Sequence, residues 1–366
     1  PIELSNARSD SASLFGTLSK RQNNTNLLPD LFLKPMDVDL PECCGSGCTN
    51  CVLDRKTTKP PTSDAPNILD NSYRTFQVTS IVKCTANTFL FRFRYAGSHD
   101  SDRQLEIPPG SHLMLRAERG FRDARRPVAK IFEQWRSGER GIEVRPRGHV
   151  TRVEKYDKAE RDLYFSRPYT PIRVDREGRS FEVLVKLETG GEMSEYFTTL
   201  DVGVVTEWKG VYGGFSWVRN RFKYLVGFGQ GVGLAPIYSI MAGVLDDEED
   251  ETRLNLQYCC SDLDGVLMRT DLQAMEKYWN FGYSIYLSRE SCSCEGKLAR
   301  SCKCLSSRIK YNEPVFNHRL EEVDIENVLK KLVNGSFHVL ICGNESFTKF
   351  VESCVTRLGI SDYYKF

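Results

Sequence analysis

The sequence contains no run of 18 consecutive apolar residues, the length that a helix needs to span a bilayer. It also lacks an excess of either charge, because 50 Lys/Arg nearly balance 49 Asp/Glu, which argues against a general affinity for nucleic acid. Residues 1–4 carry neither a secretory apolar region nor a Met-Gly myristoylation signal. We therefore expect no integral membrane segment and no nucleic-acid partner.

Cysteine is abundant, but its distribution is unlike that of a disulfide scaffold. The 13 cysteines are odd in number, and most of them fall in two short clusters. A chain of 366 residues also buries enough apolar surface to fold without disulfide bonds. We therefore expect an enzyme in a reducing intracellular compartment. The cytoplasm is favoured, while a mitochondrial or membrane-peripheral location stays open.

The N-terminal part of the chain divides into three segments by composition. Residues 1–40 are rich in Ser, Asn, Asp and Leu without a sustained apolar period, so we expect them to be disordered. A Cys-rich module follows at 41–56. Residues 57–72 contain a Lys/Thr/Pro/Ser stretch that is typical of a linker.

Two regular patterns then follow and predict two domains. Between residues 73 and 220, apolar residues recur at every second position, as in Phe89, Phe91 and Phe93, which predicts strands of an antiparallel barrel. Between residues 221 and 366, strand and helix patterns alternate, which is typical of an α/β doubly wound parallel sheet.

A charged insertion at 118–162 interrupts the predicted barrel. It carries 13 Lys/Arg and 9 Asp/Glu, so positive charges exceed negative charges by four. Two interpretations remain open. The insertion is either a solvated loop without a specific role or a surface that steers an acidic partner toward the protein.

Three motifs carry the chemistry. Arg167-Pro168-Tyr169-Thr170 offers a guanidinium for a diphosphate, a ring for an isoalloxazine and a hydroxyl for the flavin nitrogen that accepts hydride. The turn at 190–194 opens a short helix whose free amides suit a pyrophosphate. The segment Gly231-Val232-Gly233-Leu234-Ala235-Pro236 follows an apolar strand and opens a helix, as in nicotinamide dinucleotide sites.

Taken in this order, the motifs resemble the ferredoxin-NADP reductase superfamily, and within it the NADH-cytochrome b5 reductase branch, over residues 73–366. The resemblance implies an antiparallel Greek-key β-barrel for FAD, followed by a doubly wound parallel-sheet domain for NADH. It implies a monomeric reductase that takes hydride from NADH and passes electrons to cytochrome b5 or a similar acidic haem acceptor. The flavin carries that chemistry, so the reaction needs no metal.

The resemblance also assigns roles to individual residues. Thr170 and Cys342 would lie at the reacting end, where Cys342 helps to position the nicotinamide and does not act as a nucleophile. Glu192 stands where the branch usually has lysine, so only its backbone amide could meet a phosphate. The predicted cofactor-binding residues are Arg167, Pro168, Tyr169, Thr170, Leu184, Lys186, Gly191, Glu192, Met193, Ser194, Gly231, Gly233, Pro236, Cys342 and Gly343.

The choice between NADH and NADPH depends on acids after the second strand of the sheet domain. A carboxylate near that strand end accepts a hydrogen bond from the ribose 2′-hydroxyl and repels a 2′-phosphate. Asp264 lies there, one residue before Gly265, which occupies the position where the branch usually has aspartate. The sequence therefore favours NADH.

Two cysteine clusters could bind a metal in addition to the flavin chemistry. The first cluster, which resembles an oxidoreductase-like module found in some reductases, contains Cys44, Cys48 and Cys51 beside Cys43. The second lies in an insertion at 290–310 and contains Cys292, Cys294, Cys302 and Cys304. Zinc or iron–sulfur in the first cluster, zinc in the second, and no metal in either remain open.

Three functions are consistent with the sequence. The first is an NADH-cytochrome b5 reductase, and the second is a flavin reductase for another acceptor, such as a metal centre in the N-terminal module. The third is a non-catalytic binding module that kept the fold. The presence of Arg167, Tyr169, Thr170, Gly233 and Cys342 argues against the third.

Overall fold

The computed structural model describes residues 66–97, 102–122, 132, 163–290, 303–332 and 335–366. Within these residues, no helix combines the length and the apolar character that crossing a membrane requires. The predicted disordered segment, the Cys-rich module at 41–56 and most of the charged insertion lie outside them. The same holds for Cys292, Cys294 and Cys302.

Seven antiparallel strands form the first sheet, in the order β4-β3-β7-β1-β2-β6-β5. They are β1 (Arg74–Lys83), β2 (Thr88–Tyr95), β3 (His112–Glu118), β4 (Tyr164–Tyr169), β5 (Pro171–Asp175), β6 (Ser180–Lys186) and β7 (Val205–Tyr212). The short helix α1 (Glu192–Thr198) connects β6 to β7. Because β7 returns across the sheet to lie between β3 and β1, the order agrees with the expected Greek key.

The two edges of this sheet are adjacent in sequence. The strands β4 and β5 lie at opposite ends of the strand order, yet Thr170 alone separates Tyr169 from Pro171. One residue spans only a few ångströms, so the sheet has to curl until its edges meet. The antiparallel barrel is therefore confirmed. Thr170 lies at its seam, the place where the edge strands β4 and β5 meet.

Alternating aromatic residues fill the barrel, as their period of two predicts. Phe89, Phe91, Phe93 and Trp208 are fully buried and pack together with the side chains of β6. The core also includes Ile68 and Leu69, which lie in the segment expected to be a linker, 57–72. The ordered barrel thus begins upstream of residue 73, because this apolar pair is buried rather than solvated.

The charged insertion reaches into the barrel at two described aromatic residues. Arg119–Arg122 forms a 3-10 turn after β3, and Phe121 is buried beside Phe165 and Tyr196. Phe132 is fully buried against Phe89, with ring centroids 4.8 Å apart. These two aromatic side chains are therefore core residues, which a purely solvated loop would not supply.

Six parallel strands form the second sheet, in the order β11-β10-β9-β8-β12-β13. They are β8 (Tyr224–Gln230), β9 (Arg253–Cys260), β10 (Phe281–Leu287), β11 (Val315–Phe316), β12 (Phe337–Cys342) and β13 (Tyr363–Lys365). The helices are α2 (Leu234–Leu245), α3 (Arg269–Met275), α4 (Lys303–Ser306), α5 (Glu322–Lys330) and α6 (Glu345–Arg357). The doubly wound parallel sheet is confirmed, and its strand order reverses direction between β8 and β12.

Helix α2 joins the two sheets. Ile172 of β5 and Leu184 of β6 are buried in the same apolar cluster as the side chains of α2. In addition, the backbone amide of Gly110 donates a hydrogen bond of 2.8 Å to Ser239 Oγ. The barrel and the sheet domain therefore share one core layer, and this layer borders the site described next.

Candidate functional site

A cavity of about 1940 Å³ opens between the barrel and the sheet domain. Its wall includes residues that follow β8 and β12, where ligands bind in doubly wound sheets because the strand order reverses there. Ten of the predicted cofactor-binding residues line it: Pro168, Tyr169, Thr170, Leu184, Lys186, Gly231, Gly233, Pro236, Cys342 and Gly343.

On the barrel side, Tyr169 and Thr170 are held at the seam. The Tyr169 ring packs edge-on against Phe197 and Trp208, with centroids 5.3 Å and 6.0 Å away. Burial raises the pKa of the Tyr169 phenol, so the hydroxyl stays protonated at neutral pH. This packing fixes the ring direction and leaves the neighbouring Thr170 on the cavity wall.

Five predicted residues do not line the cavity: Arg167, Gly191, Glu192, Met193 and Ser194. Arg167 donates a hydrogen bond of 2.8 Å to the Ser166 carbonyl. Met193 is buried in the barrel core, so its side chain packs instead of facing a ligand. Ser194 Oγ accepts a hydrogen bond of 2.9 Å from the Glu188 amide and closes the turn before α1. Their phosphate-binding roles remain predictions.

Glu192 has a partner that the sequence did not indicate. Arg119 Nη1 lies 2.9 Å and 3.1 Å from the two oxygens of the Glu192 carboxylate. Arg119 comes from the turn after β3, so the charged insertion begins beside α1. The acid that replaces the branch's usual lysine is therefore neutralised by an arginine.

Two glycines on the sheet side are required for different reasons. Gly231 has φ of +55°, which disfavours a side chain, and the space where its Cβ would lie is open. At Gly233 a Cβ would lie only 2.6 Å from the Cys342 carbonyl oxygen. Gly231 thus leaves room for a ligand, whereas Gly233 lets α2 approach the end of β12.

Cys342 ends β12 on the cavity wall, opposite the barrel residues. Burial raises the pKa of its thiol to about 12, so the thiolate is scarce at neutral pH. The loop after it is organised by Asn344, whose side-chain oxygen accepts from the Phe347 amide at 2.9 Å and caps α6. This environment suits positioning rather than nucleophilic attack.

The two aspartates after β9 already have interaction partners within the protein. Asp262 accepts a hydrogen bond of 2.8 Å from the Gly265 amide, within its own turn. Asp264 pairs with Arg308 at 2.7 Å, and Arg308 also bonds Glu290 at 2.8 Å. Both aspartates line the cavity, so the preference for NADH remains a prediction about carboxylates that also have protein partners.

Sequence reasoning missed several residues of the cavity wall. Arg289 and Arg319 line it and could meet phosphates, and the turn at 85–88 lines it from the barrel. Arg289 follows Ser288 directly after β10. The rule that ligands bind beyond the carboxyl ends of parallel strands would have selected Arg289 from the strand prediction.

The lining of the cavity has surfaces that suit two different cofactors. The aromatic and aliphatic barrel residues suit a flat flavin ring, while the main chain at Gly231 is open to a dinucleotide. Tyr169 and Thr170 would hold the ring end of FAD. Gly231, Cys342 and Gly343 would hold the nicotinamide end of the dinucleotide.

Two known families match segments of the barrel and of the sheet domain. The family described as "Oxidoreductase FAD-binding domain" matches residues 148–217, and "Oxidoreductase NAD-binding domain" matches residues 228–353. The human protein named "NADH-cytochrome b5 reductase-like" is 27% identical over 349 residues, which cover 90% of this chain and 93% of the human one. FAD and a nicotinamide dinucleotide are therefore the cofactors of this chain.

Solved structures agree on the fold. The cytochrome b5 reductase domain of Ulva prolifera nitrate reductase aligns with TM-score 0.56 at 18% identity, covering 83% of this chain and all of that domain. A ferredoxin NADP+ reductase from Neisseria gonorrhoeae, with bound FAD and NADP, aligns with TM-score 0.53 at 14% identity. It covers 80% of this chain and 98% of that one. Since each alignment covers at least 80% of this chain, both structures share its overall fold.

Proposed function

We propose that the chain takes hydride from NADH and reduces a haem acceptor such as cytochrome b5, as the FAD- and NAD-binding family matches and the similarity to NADH-cytochrome b5 reductase-like proteins support. One observation carries the proposal: Thr170 of the barrel and Cys342 of the sheet domain line the same cavity. A flavin on one wall and a nicotinamide on the other would meet there.

The protein residues orient the reactants. When bound, FAD accepts the two electrons of the hydride and releases them to an acceptor. Tyr169 would form part of the barrel wall that holds the flavin, and Thr170 would offer a hydroxyl and an amide to it. Gly231 would allow the dinucleotide close to the main chain, while protonated Cys342 fills space without competing as a nucleophile.

The acceptor is proposed to be acidic. The charged insertion has four more positive than negative charges, and it starts at the barrel next to α1. A positive surface accelerates association with a negatively charged protein, and salt weakens that acceleration. Cytochrome b5 is the first candidate because relatives of this chain carry its name.

An anaerobic absorbance titration tests the proposal. We expect the purified protein to have a flavin spectrum that bleaches with one equivalent of NADH. The reduced protein should then reduce cytochrome b5, more slowly as ionic strength rises. A colourless protein that FAD does not reconstitute would refute the enzyme function. Bleaching without reduction of cytochrome b5 would instead keep the reductase and reject this acceptor.

A further inference from the structure

Hydride transfer between two rings on different domains depends on how the domains are held together. A displacement of about 1 Å between reacting groups can slow a reaction about 100-fold. The strand that borders the interface is β5, since Ile172 is buried in the cluster of the sheet domain. The next residue, Arg173, lies three residues after Thr170 and bonds to both domains.

Within the barrel, Arg173 is anchored by a buried acid. Its Nη1 donates to Glu182 Oε2 at 3.0 Å, and the Glu182 side chain is only 9% exposed. The other oxygen of Glu182 accepts two hydrogen bonds from Arg92, at 2.8 Å and 2.6 Å. Three strands, β2, β6 and β5, therefore fix the direction of the Arg173 guanidinium.

Across the interface, Nη2 of the same guanidinium donates to Asp271 Oδ1. Asp271 belongs to the first turn of α3, which follows the loop of Asp262 and Asp264 on the cavity wall. The ion pair thus connects the strand after Thr170 with the helix after the dinucleotide-side loop. Hydride transfer would require the distance between this strand and this helix to stay constant.

The exposure of the pair decides between a role in folding and a role in alignment. The side chains of Arg173 and Asp271 are 41% and 36% exposed. Ion pairs exposed to this extent contribute little to stability because solvent screens them. An alignment role needs no large contribution to stability, since small displacements already change the rate of transfer.

We propose that Arg173 and Asp271 form an interdomain latch that aligns the flavin and nicotinamide rings. Both are positioning residues, because neither lines the cavity. The inference rests on the proposed hydride transfer. It adds a determinant of the rate that lies outside both cofactor-binding segments.

A double-mutant cycle tests the latch by rapid mixing of the FAD-loaded protein with NADH. We expect Arg173→Met and Asp271→Asn each to slow flavin reduction about tenfold, while KM for NADH changes less than about threefold. The double variant should be no slower than the slower single variant, because the two residues act as one unit. Asp271→Glu, which keeps the charge, should recover a rate within about threefold of the unmodified protein.

A pair of similar exposure between the segment after β7 and the loop after α2 provides the control, and neither of its residues lines the cavity. Arg219 and Asp247 are 49% and 31% exposed and form an ion pair at 2.6 Å. Arg219→Met and Asp247→Asn should leave the rate unchanged. Hydrogen exchange of the cofactor-free protein gives a second readout, in which Asp271→Asn should accelerate exchange at 171–175 while Tm stays within about 3 °C.

The outcomes separate the latch from the proposed function. Unchanged rates in both single variants, or slowing that multiplies in the double variant, would overturn the latch. Unchanged hydrogen exchange of residues 171–175 in Asp271→Asn would also overturn the latch. An unmodified, FAD-loaded protein that NADH does not reduce would overturn the proposed function and the latch together.

Discussion

The barrel presents side chains to the cavity, whereas the sheet domain presents mostly main chain at its reacting end. Tyr169 is held by aromatic packing in the barrel core, and Thr170 follows it on the wall. On the opposite side, Gly231 and Gly233 contribute no side chain, and the small side chain of Cys342 precedes Gly343. The two walls of one site are therefore built by opposite means.

This difference teaches which kind of change each wall tolerates. A wall made of packed side chains loses function when atoms are removed, because cavities and lost contacts result. A wall made of main chain loses function when atoms are added, because the backbone cannot move aside as a flexible side chain can. Substitutions of both kinds test the comparison.

Gly233→Ala should have the largest effect. The added Cβ would lie 2.6 Å from the Cys342 carbonyl oxygen and 2.7 Å from its carbon, so α2 and the end of β12 must separate. We expect a destabilisation of about 1–3 kcal/mol and flavin reduction by NADH slowed about 100-fold. Thermal unfolding and rapid mixing measure the two effects.

Gly282→Ala is the control for this substitution, because no atom lies within 4 Å of the Cβ that it would add. Its rate should match that of the unmodified protein. Equal rates for Gly233→Ala and Gly282→Ala would mean that the sheet wall tolerates added atoms, and the comparison between the walls would fail.

Removing atoms from the barrel wall should have a smaller but still large effect. In Tyr169→Ala the ring that packs against Phe197 and Trp208 is lost. We expect the Kd for FAD to rise at least about tenfold, which corresponds to a loss of about 1.4 kcal/mol of binding free energy. Fluorescence titration of the cofactor-free protein with FAD measures this change.

Tyr169→Phe sharpens the same test, because it keeps the ring and removes only a hydroxyl that stays protonated. Its FAD affinity should stay within about threefold of the unmodified protein. A loss as large as that of Tyr169→Ala would assign the binding to the hydroxyl instead of to ring packing.

The smallest effect is expected at Cys342. Its thiol pKa is raised from 9 to about 12 by burial, so the folded protein holds this proton more tightly than the unfolded chain. The associated stability is complete below about pH 9 and is lost as the pH rises toward 12. Between about pH 6 and 9, the rate of flavin reduction should show no ionisation of Cys342.

Chemical labelling checks the same property. Iodoacetamide at neutral pH should label the exposed Cys84 before Cys342, which mass spectrometry distinguishes. Cys342→Ser should reduce flavin within about tenfold of the unmodified rate, as expected for a positioning residue. A rate that falls with the titration of Cys342 near pH 7 would contradict the positioning role.

Much of this arrangement was predictable because local patterns encode it. The alternation of Phe89, Phe91 and Phe93 specified the barrel core. Apolar residues at positions 347, 350, 351, 354, 355 and 358 have the spacing of one helix face, and α6 forms there. The motifs at 167–170 and 231–236 specified which strand ends would meet at the cavity. These signals depend on residues close together in sequence, so the chain alone reveals them.

The parts that were missed depend on contacts between distant residues. Arg119 neutralises Glu192 from 73 positions away, and no local pattern pairs them. Trp279 follows α3, which ends at Met275, and its side chain is 70% exposed. The apolar residue type alone did not distinguish this exposed tryptophan from a buried one.

The barrel seam constrains how the length of the chain can vary. Between β3 and β4 the chain carries an insertion of some forty-five residues, whereas Thr170 alone connects β4 to β5. The chain before β4 therefore accommodates many additional residues, whereas a residue added after β4 would open the barrel. Since Thr170 lies on the cavity wall, this one-residue connection between β4 and β5 lies at the proposed site of hydride transfer. Related chains should differ freely in length before β4 and keep a single-residue connection after it.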